Sequence, residues 1–144
     1  VGITTAETIS DFATGAAGVA DLIQYSDAVT LIGDATGTDV SAAISGKAGG
    51  DTLTATVSKG FITLAGNAIA KIDTLAEVVD VFEIAQKKST KEVGAMEWEG
   101  DTYFFGIAAA GDETCDDVIK LAGVTGITAV STTPAANTIY VATL

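Results

Sequence analysis

The sequence predicts a mainly β domain, β-roll or β-sandwich-like, made of short strands with one amphipathic helix packed on the sheet. Three observations predict it. Apolar residues alternate with polar ones over short stretches, as Leu53, Ala55 and Val57 do against Thr52, Thr54 and Thr56, and a period of two is that of a half-buried strand. Sixteen glycines against one proline, Pro134, with Asp, Asn and Thr between the alternations, supply the turns that join such strands. One stretch alone, residues 71–88, spaces its apolar side chains as a helix does. A chain of 144 residues suits a single domain, in which roughly two-thirds of the unfolded surface is buried.

The elements follow in order. In residues 5–12, Ile9 stands between Thr8 and Ser10 and reads as a short strand, and residues 21–25 read as a second one after a Gly-rich turn. Residues 29–32 form another brief apolar strand. Residues 33–38 carry turn chemistry, and Asp39 is placed to cap a single helical turn through Val40, Ala43 and Ile44. Residues 47–52 are a turn. The alternation at 53–57 and the apolar run at 61–64, separated at Lys59-Gly60, have the grammar of a hairpin.

The helix rests on Ile72, Leu75, Ala76, Val79, Phe82 and Ile84 along one side, with Asp73, Glu77, Asp80 and Glu83 largely on the other. Its acids come early, and Lys87, Lys88 and Lys91 come late, as the helix dipole favours. Residues 95–99 and 102–107 then read as two strands about a turn at Gly100-Asp101, with aromatic residues to pack on the pair. Residues 108–116 are an acidic loop. Strands at 118–121, 127–130 and 139–141 complete the chain, the last two separated by a Thr/Pro/Asn turn.

Charge narrows the function. Nineteen acidic residues face seven lysines, with no Arg and no His, for a net charge of −12. Such a chain repels a nucleic-acid backbone. Without Arg it lacks the usual bidentate clamp for carboxylate and phosphate, and without His it lacks the commonest general base and transition-metal ligand. The abundant group is carboxylate oxygen, which suits a hard cation such as calcium. An enzyme is therefore not expected.

Cys115 is the single cysteine, so no internal disulfide forms; it is either a small buried apolar residue or a thiol that links two chains. No apolar run reaches the roughly 18 to 20 residues that span a bilayer, so membrane insertion is not expected. The chain opens Val1-Gly2-Ile3 without Met and without a basic start before an apolar stretch, the expectation being a processed or excised piece with no Sec-type leader.

Thr8-Ile9-Ser10-Asp11-Phe12, a Gly-containing gap, and Asp21-Leu22-Ile23 resemble the element that closes many RTX-type calcium-binding β-rolls, with Glu7 where an Asp is usual. The second half is similar to the end of type I secreted surface-layer proteins and related adhesins. It has a helix with Ile72-Asp73-Thr74-Leu75-Ala76-Glu77, then Gly100-Asp101-Thr102-Tyr103-Phe104-Phe105, then Asp116-Asp117-Val118-Ile119-Lys120-Leu121-Ala122-Gly123-Val124. The resemblance covers about residues 5–25 and 69–125. It implies one domain, with RTX-like strands over 1–66 that hold a variable insertion at 26–56, and a helix plus hairpin cap over 67–144. It further implies a secreted cell-surface structural module that self-associates, uses calcium, and leaves the cell through a type I secretion apparatus by a C-terminal signal. Two alternatives stay open: the export and folding domain of a secreted protease or lipase, and the tip of an adhesin.

The candidate metal ligands are Glu7, Asp11 and Asp21, since carboxylates at strand ends that converge on a turn can offer several hard oxygens at once. Each could equally be a solvated turn residue. Asp112, Glu113, Asp116 and Asp117 form a second acidic group that reads first as a solvated loop. Trp98, Tyr103, Phe104 and Phe105 could stack on a sugar, but their alternation favours core packing or a subunit contact.

Overall fold

A computed structural model of the chain describes residues 5–14, 21, 23–24, 28–86, 91–107, 114–132 and, as backbone, 138–143. The strands are β1 (Glu7–Ile9), β2 (Ile23–Gln24), β3 (Thr30–Leu31), β4 (Ala35–Asp39), β5 (Thr54–Ser58) and β6 (Phe61–Ala65), then β7 (Glu92–Trp98), β8 (Asp101–Gly106), β9 (Asp117–Leu121), β10 (Ile127–Ser131) and β11 (Thr138–Thr143). The helix α1 (Leu75–Ala85) precedes β7, and short 3₁₀ turns lie at Ser41–Ile44 and Ile69–Lys71. The fold is mainly β with one helix on its sheet, as the sequence predicts.

Among the described residues, eight strands form one mixed sheet in the order β1-β9-β8-β7-β6-β5-β4, with β3 also against β7, and three form a second sheet in the order β10-β11-β2. The outer edge of β7 serves two parallel partners, β3 at Glu92 and Val93 and β6 at Ala95 and Met96. At the far edge β1 runs parallel to β9, with Glu7 opposite Ile119 and Ile9 opposite Leu121.

Alternation then divides the large sheet into two apolar faces. One carries Ala55, Val57, Ile62, Met96, Tyr103, Phe105 and Val118 against α1 and the first 3₁₀ turn. The other carries Phe61, Val93, Ala95, Phe104 and Leu121 against Ile23 of β2 and Ile127 and Val130 of β10. The result is three layers, helix on sheet on sheet. Each large side chain withdrawn from water here contributes about 1.5–3 kcal/mol. Gly94 lies where Ile32 and Phe82 cross the sheet, and a Cβ there would stand 2.7 Å from Ile32 Cδ1.

Two-residue turns set the hairpins. Lys59 and Gly60 both take positive φ, 49° and 73°, as do Glu99 and Gly100, 52° and 81°. That pair of left-handed residues matches the twist of the strands on either side. Ser58 accordingly faces Phe61, and Trp98 faces Asp101. The second turn is therefore one residue earlier than Gly100-Asp101, and Asp101 opens β8.

Three other expectations are corrected. Residues 33–38 were expected as a turn but hold most of β4, whose composition is turn-like because it is a sheet edge with an irregular register around Gly37. The helix is shorter than 71–88 and buries more of its circumference, with Val78, Val79, Val81, Phe82 and Ala85 all inside. Its second contact surface, the 3₁₀ turn at Ser41–Ile44, accounts for the extra burial. The cap position of that turn is Val40, which makes no side-chain cap hydrogen bond, so Asp39 is not the cap expected; it ends β4, and its Oδ1 accepts the Ser41 N–H at 2.9 Å. Lys87 and Lys88 lie outside the described residues, as do residues 108–113 and the Thr/Pro/Asn turn at 133–137.

Candidate functional site

Asp21 is hydrogen-bonded to Ala13, which follows β1. Its N–H donates to the Ala13 carbonyl and its Oδ2 accepts the Ala13 N–H, each at 2.8 Å. Asp11 sits two residues before Ala13, and Glu7 lies on β1; all three side chains are exposed. Residues 15–20 and 22 lie outside the described residues. Among the described residues, no three Asp, Glu, Cys or His side chains converge into a metal-binding group. What the structure brings together is thus Asp21 with the backbone beyond Asp11.

Of the second acidic group, Asp116 and Asp117 are exposed, and Asp112 and Glu113 lie outside the described residues. The neighbouring Cys115 is buried. Its N–H donates to Glu83 Oε1 at 2.7 Å, its Sγ lies 3.2 Å from the Asp117 carbonyl, and burial pushes the thiol up to about 12. The cysteine is therefore a core residue that ties the end of α1 to the start of β9.

The aromatic group also faces inward. Tyr103, Phe104 and Phe105 are buried, and Trp98 packs against the core with its ring 5.7 Å from that of Tyr103. Trp98 alone of the four is only half-buried. Beside Trp98, where β6 and β7 part beyond Ile62 and Met96, lies an apolar groove of about 260 Å³ walled by Phe61, Leu64, Ile69 and Ile72. Ile69, at 44% exposure, is the large hydrophobic residue most open to solvent among those described.

Three of the described lysines are drawn into ion pairs. Lys120 binds Asp101 Oδ2 at 2.6 Å while Asp101 Oδ1 accepts the Gly123 N–H at 2.7 Å, and these two partners hold the Asp101 carboxyl below its usual range. Lys47 lies 2.5 Å from both Asp73 and Glu77, and Lys71 lies 2.7 Å from Asp51. Partial burial acts to raise the pKa of Glu77, yet Lys47, the Asp73 N–H and Thr74 together overcome it and bring the carboxyl down to about 2. Sequence reasoning singled out neither these pairs nor the Asp101 contacts. Their partners lie 19 to 30 positions apart, beyond any local pattern.

Fold and surface together define a class, an acidic three-layer β domain with one buried thiol and most of its described lysines bound to its own carboxylates. Comparison of the chain with protein-family models, curated proteins and solved structures returns no match.

Proposed function

We propose that the chain is a structural module of a secreted bacterial cell-surface protein, S-layer-like, that assembles with copies of itself when calcium is present. The observation that carries this reading is the charge balance. Of the seven lysines behind a net charge of −12, Lys47, Lys71 and Lys120 already neutralise carboxylates of their own chain. The other four lysines are far outnumbered by the remaining carboxylates, so like-charged copies repel until an external cation screens or bridges them.

Calcium is the cation that fits, because carboxylate oxygens are hard ligands and the chain holds no His. Glu7, Asp11 and Asp21 are the ligands proposed. In support, the two segments that resemble type I secreted surface proteins are adjacent, Thr8 pairing with Lys120 and Ile9 with Leu121. A chain of this kind would leave the cell through a type I apparatus and have no catalytic role. No helix among the described residues is long and apolar enough to cross a membrane.

The test is sedimentation with calcium titration. Calcium should convert monomer to larger species and raise the melting temperature, magnesium should do so less, and chelator should reverse both. A chain that stays monomeric, with unchanged melting, across the calcium range refutes the reading.

A further inference from the structure

The turn at residues 46–52 is braced to the region before α1 in both directions. From the turn, Lys47 Nζ reaches Asp73 Oδ1 and Glu77 Oε1, each at 2.5 Å. From the other side, Lys71 Nζ reaches Asp51 Oδ2 at 2.7 Å and donates to the Ala48 carbonyl at 2.8 Å. Asp51 Oδ1 also accepts from Asn67 Nδ2 at 2.9 Å, and Asn67 Oδ1 accepts the Thr52 N–H at 2.8 Å. Each segment thus lends an ammonium to the other's carboxylates. Gly46, Gly49 and Gly50 all take positive φ, a backbone conformation that glycine adopts without steric cost.

Three carboxylates gathered at one corner of a −12 chain repel one another unless a cation stands among them. Where acids gather without a lysine among them, that cation must come from solution. Here it is covalently attached. We propose that Lys47 and Lys71 are built-in counter-cations that latch the 46–52 turn to the start of α1, so that this corner holds its shape whether or not calcium is bound. The inference deepens the calcium-dependent reading above and rests on it, by placing this corner outside the calcium-dependent part of the domain.

Amide hydrogen exchange at Asp51 and Thr52 tests the latch. In the native chain the rates should be the same in calcium and in chelator, and should rise in strong salt, which screens exposed ion pairs. One exposed pair shifts a local opening equilibrium by up to about fivefold, so the Lys47→Met/Lys71→Met chain should exchange here about tenfold faster at low salt. Core amides of β7 and β8 should not change in that variant, and Lys47→Arg/Lys71→Arg should keep the protection. Faster exchange at Asp51 and Thr52 of the native chain in chelator overturns the proposal, as does indifference to salt. The native-chain measurements decide the matter even if the double Met variant does not fold. Loss of calcium-driven assembly with these rates unchanged would count against the proposed function and leave the latch standing.

Discussion

The ring of Phe82 in α1 stacks on the ring of Phe105 in β8, with centroids 5.2 Å apart and planes 21° from parallel. This contact joins the helix to the centre of the large sheet, and Gly94 on the neighbouring strand leaves room for it, since a Cβ there would lie 3.2 Å from Phe82 Cε2. Both rings are fully buried. Phe82→Ala should therefore cost about 3–5 kcal/mol, the usual range for deleting a buried ring. Denaturant unfolding measures it, and a loss below about 1 kcal/mol would mean the helix is held elsewhere.

Acid should weaken the start of the helix. Glu77 titrates near 2 in the folded chain and at 4.5 unfolded, so its stabilisation is complete above pH 4.5 and is lost as the pH falls toward 2. Lys47 is 39% exposed, which leaves a contribution of about 1–2 kcal/mol after screening by water. Glu77→Gln keeps an acceptor for the Thr74 N–H, so the capping box survives. The variant should match the native chain near pH 2 and fall below it at pH 7. Equal acid sensitivity of the two proteins would remove Glu77 from the account.

Cys115 should be inert until the chain unfolds. A thiol pushed from 9.0 up to about 12 by burial offers roughly a thousandfold less thiolate at neutral pH. Alkylation in native buffer should be slower than in denaturant by at least that factor. Fast labelling of the native chain, or a disulfide-linked dimer without reductant, would show the thiol at the surface.

The β7–β8 turn can be improved. Glu99 holds φ of 52°, a conformation that Asn adopts more readily, and Asn-Gly is the favoured pair for this turn. Glu99→Asn should stabilise the fold by about 0.5–1 kcal/mol, read as a rise in melting temperature. A fall would show that Glu99 makes a contact worth more than the backbone strain.

Much of the fold was legible locally. Leu53, Ala55 and Val57 share one buried face because their spacing of two admits no other arrangement, and Lys59-Gly60 announces the hairpin between β5 and β6. Thr74 and Glu77 form the capping box that starts α1, a contact three residues long that the expected span of 71–88 overlooked. The site was less legible. Asp21, a candidate metal ligand or turn carboxylate in the sequence, hydrogen-bonds to Ala13, whereas Lys47 with Glu77 and Lys120 with Asp101 have no sequence signal, since a lysine's reach says nothing of which distant acid will meet it. Val78 and Val81 fell off the expected apolar side because that side was drawn for one contact surface and the helix has two.

The sequence by itself determined the mainly β class, the Lys59-Gly60 hairpin, the presence of one helix and the acidic character, all of which follow from composition or from contacts within a few residues. Tertiary structure alone decided that β1 lies beside β9, that β3 and β6 share one edge of β7, and that Cys115 is sealed beneath α1. The reason is physical. An alternation of period two specifies which face of a strand is buried but not which strand will lie next to it, and a parallel neighbour is chosen only when the whole sheet closes over its core.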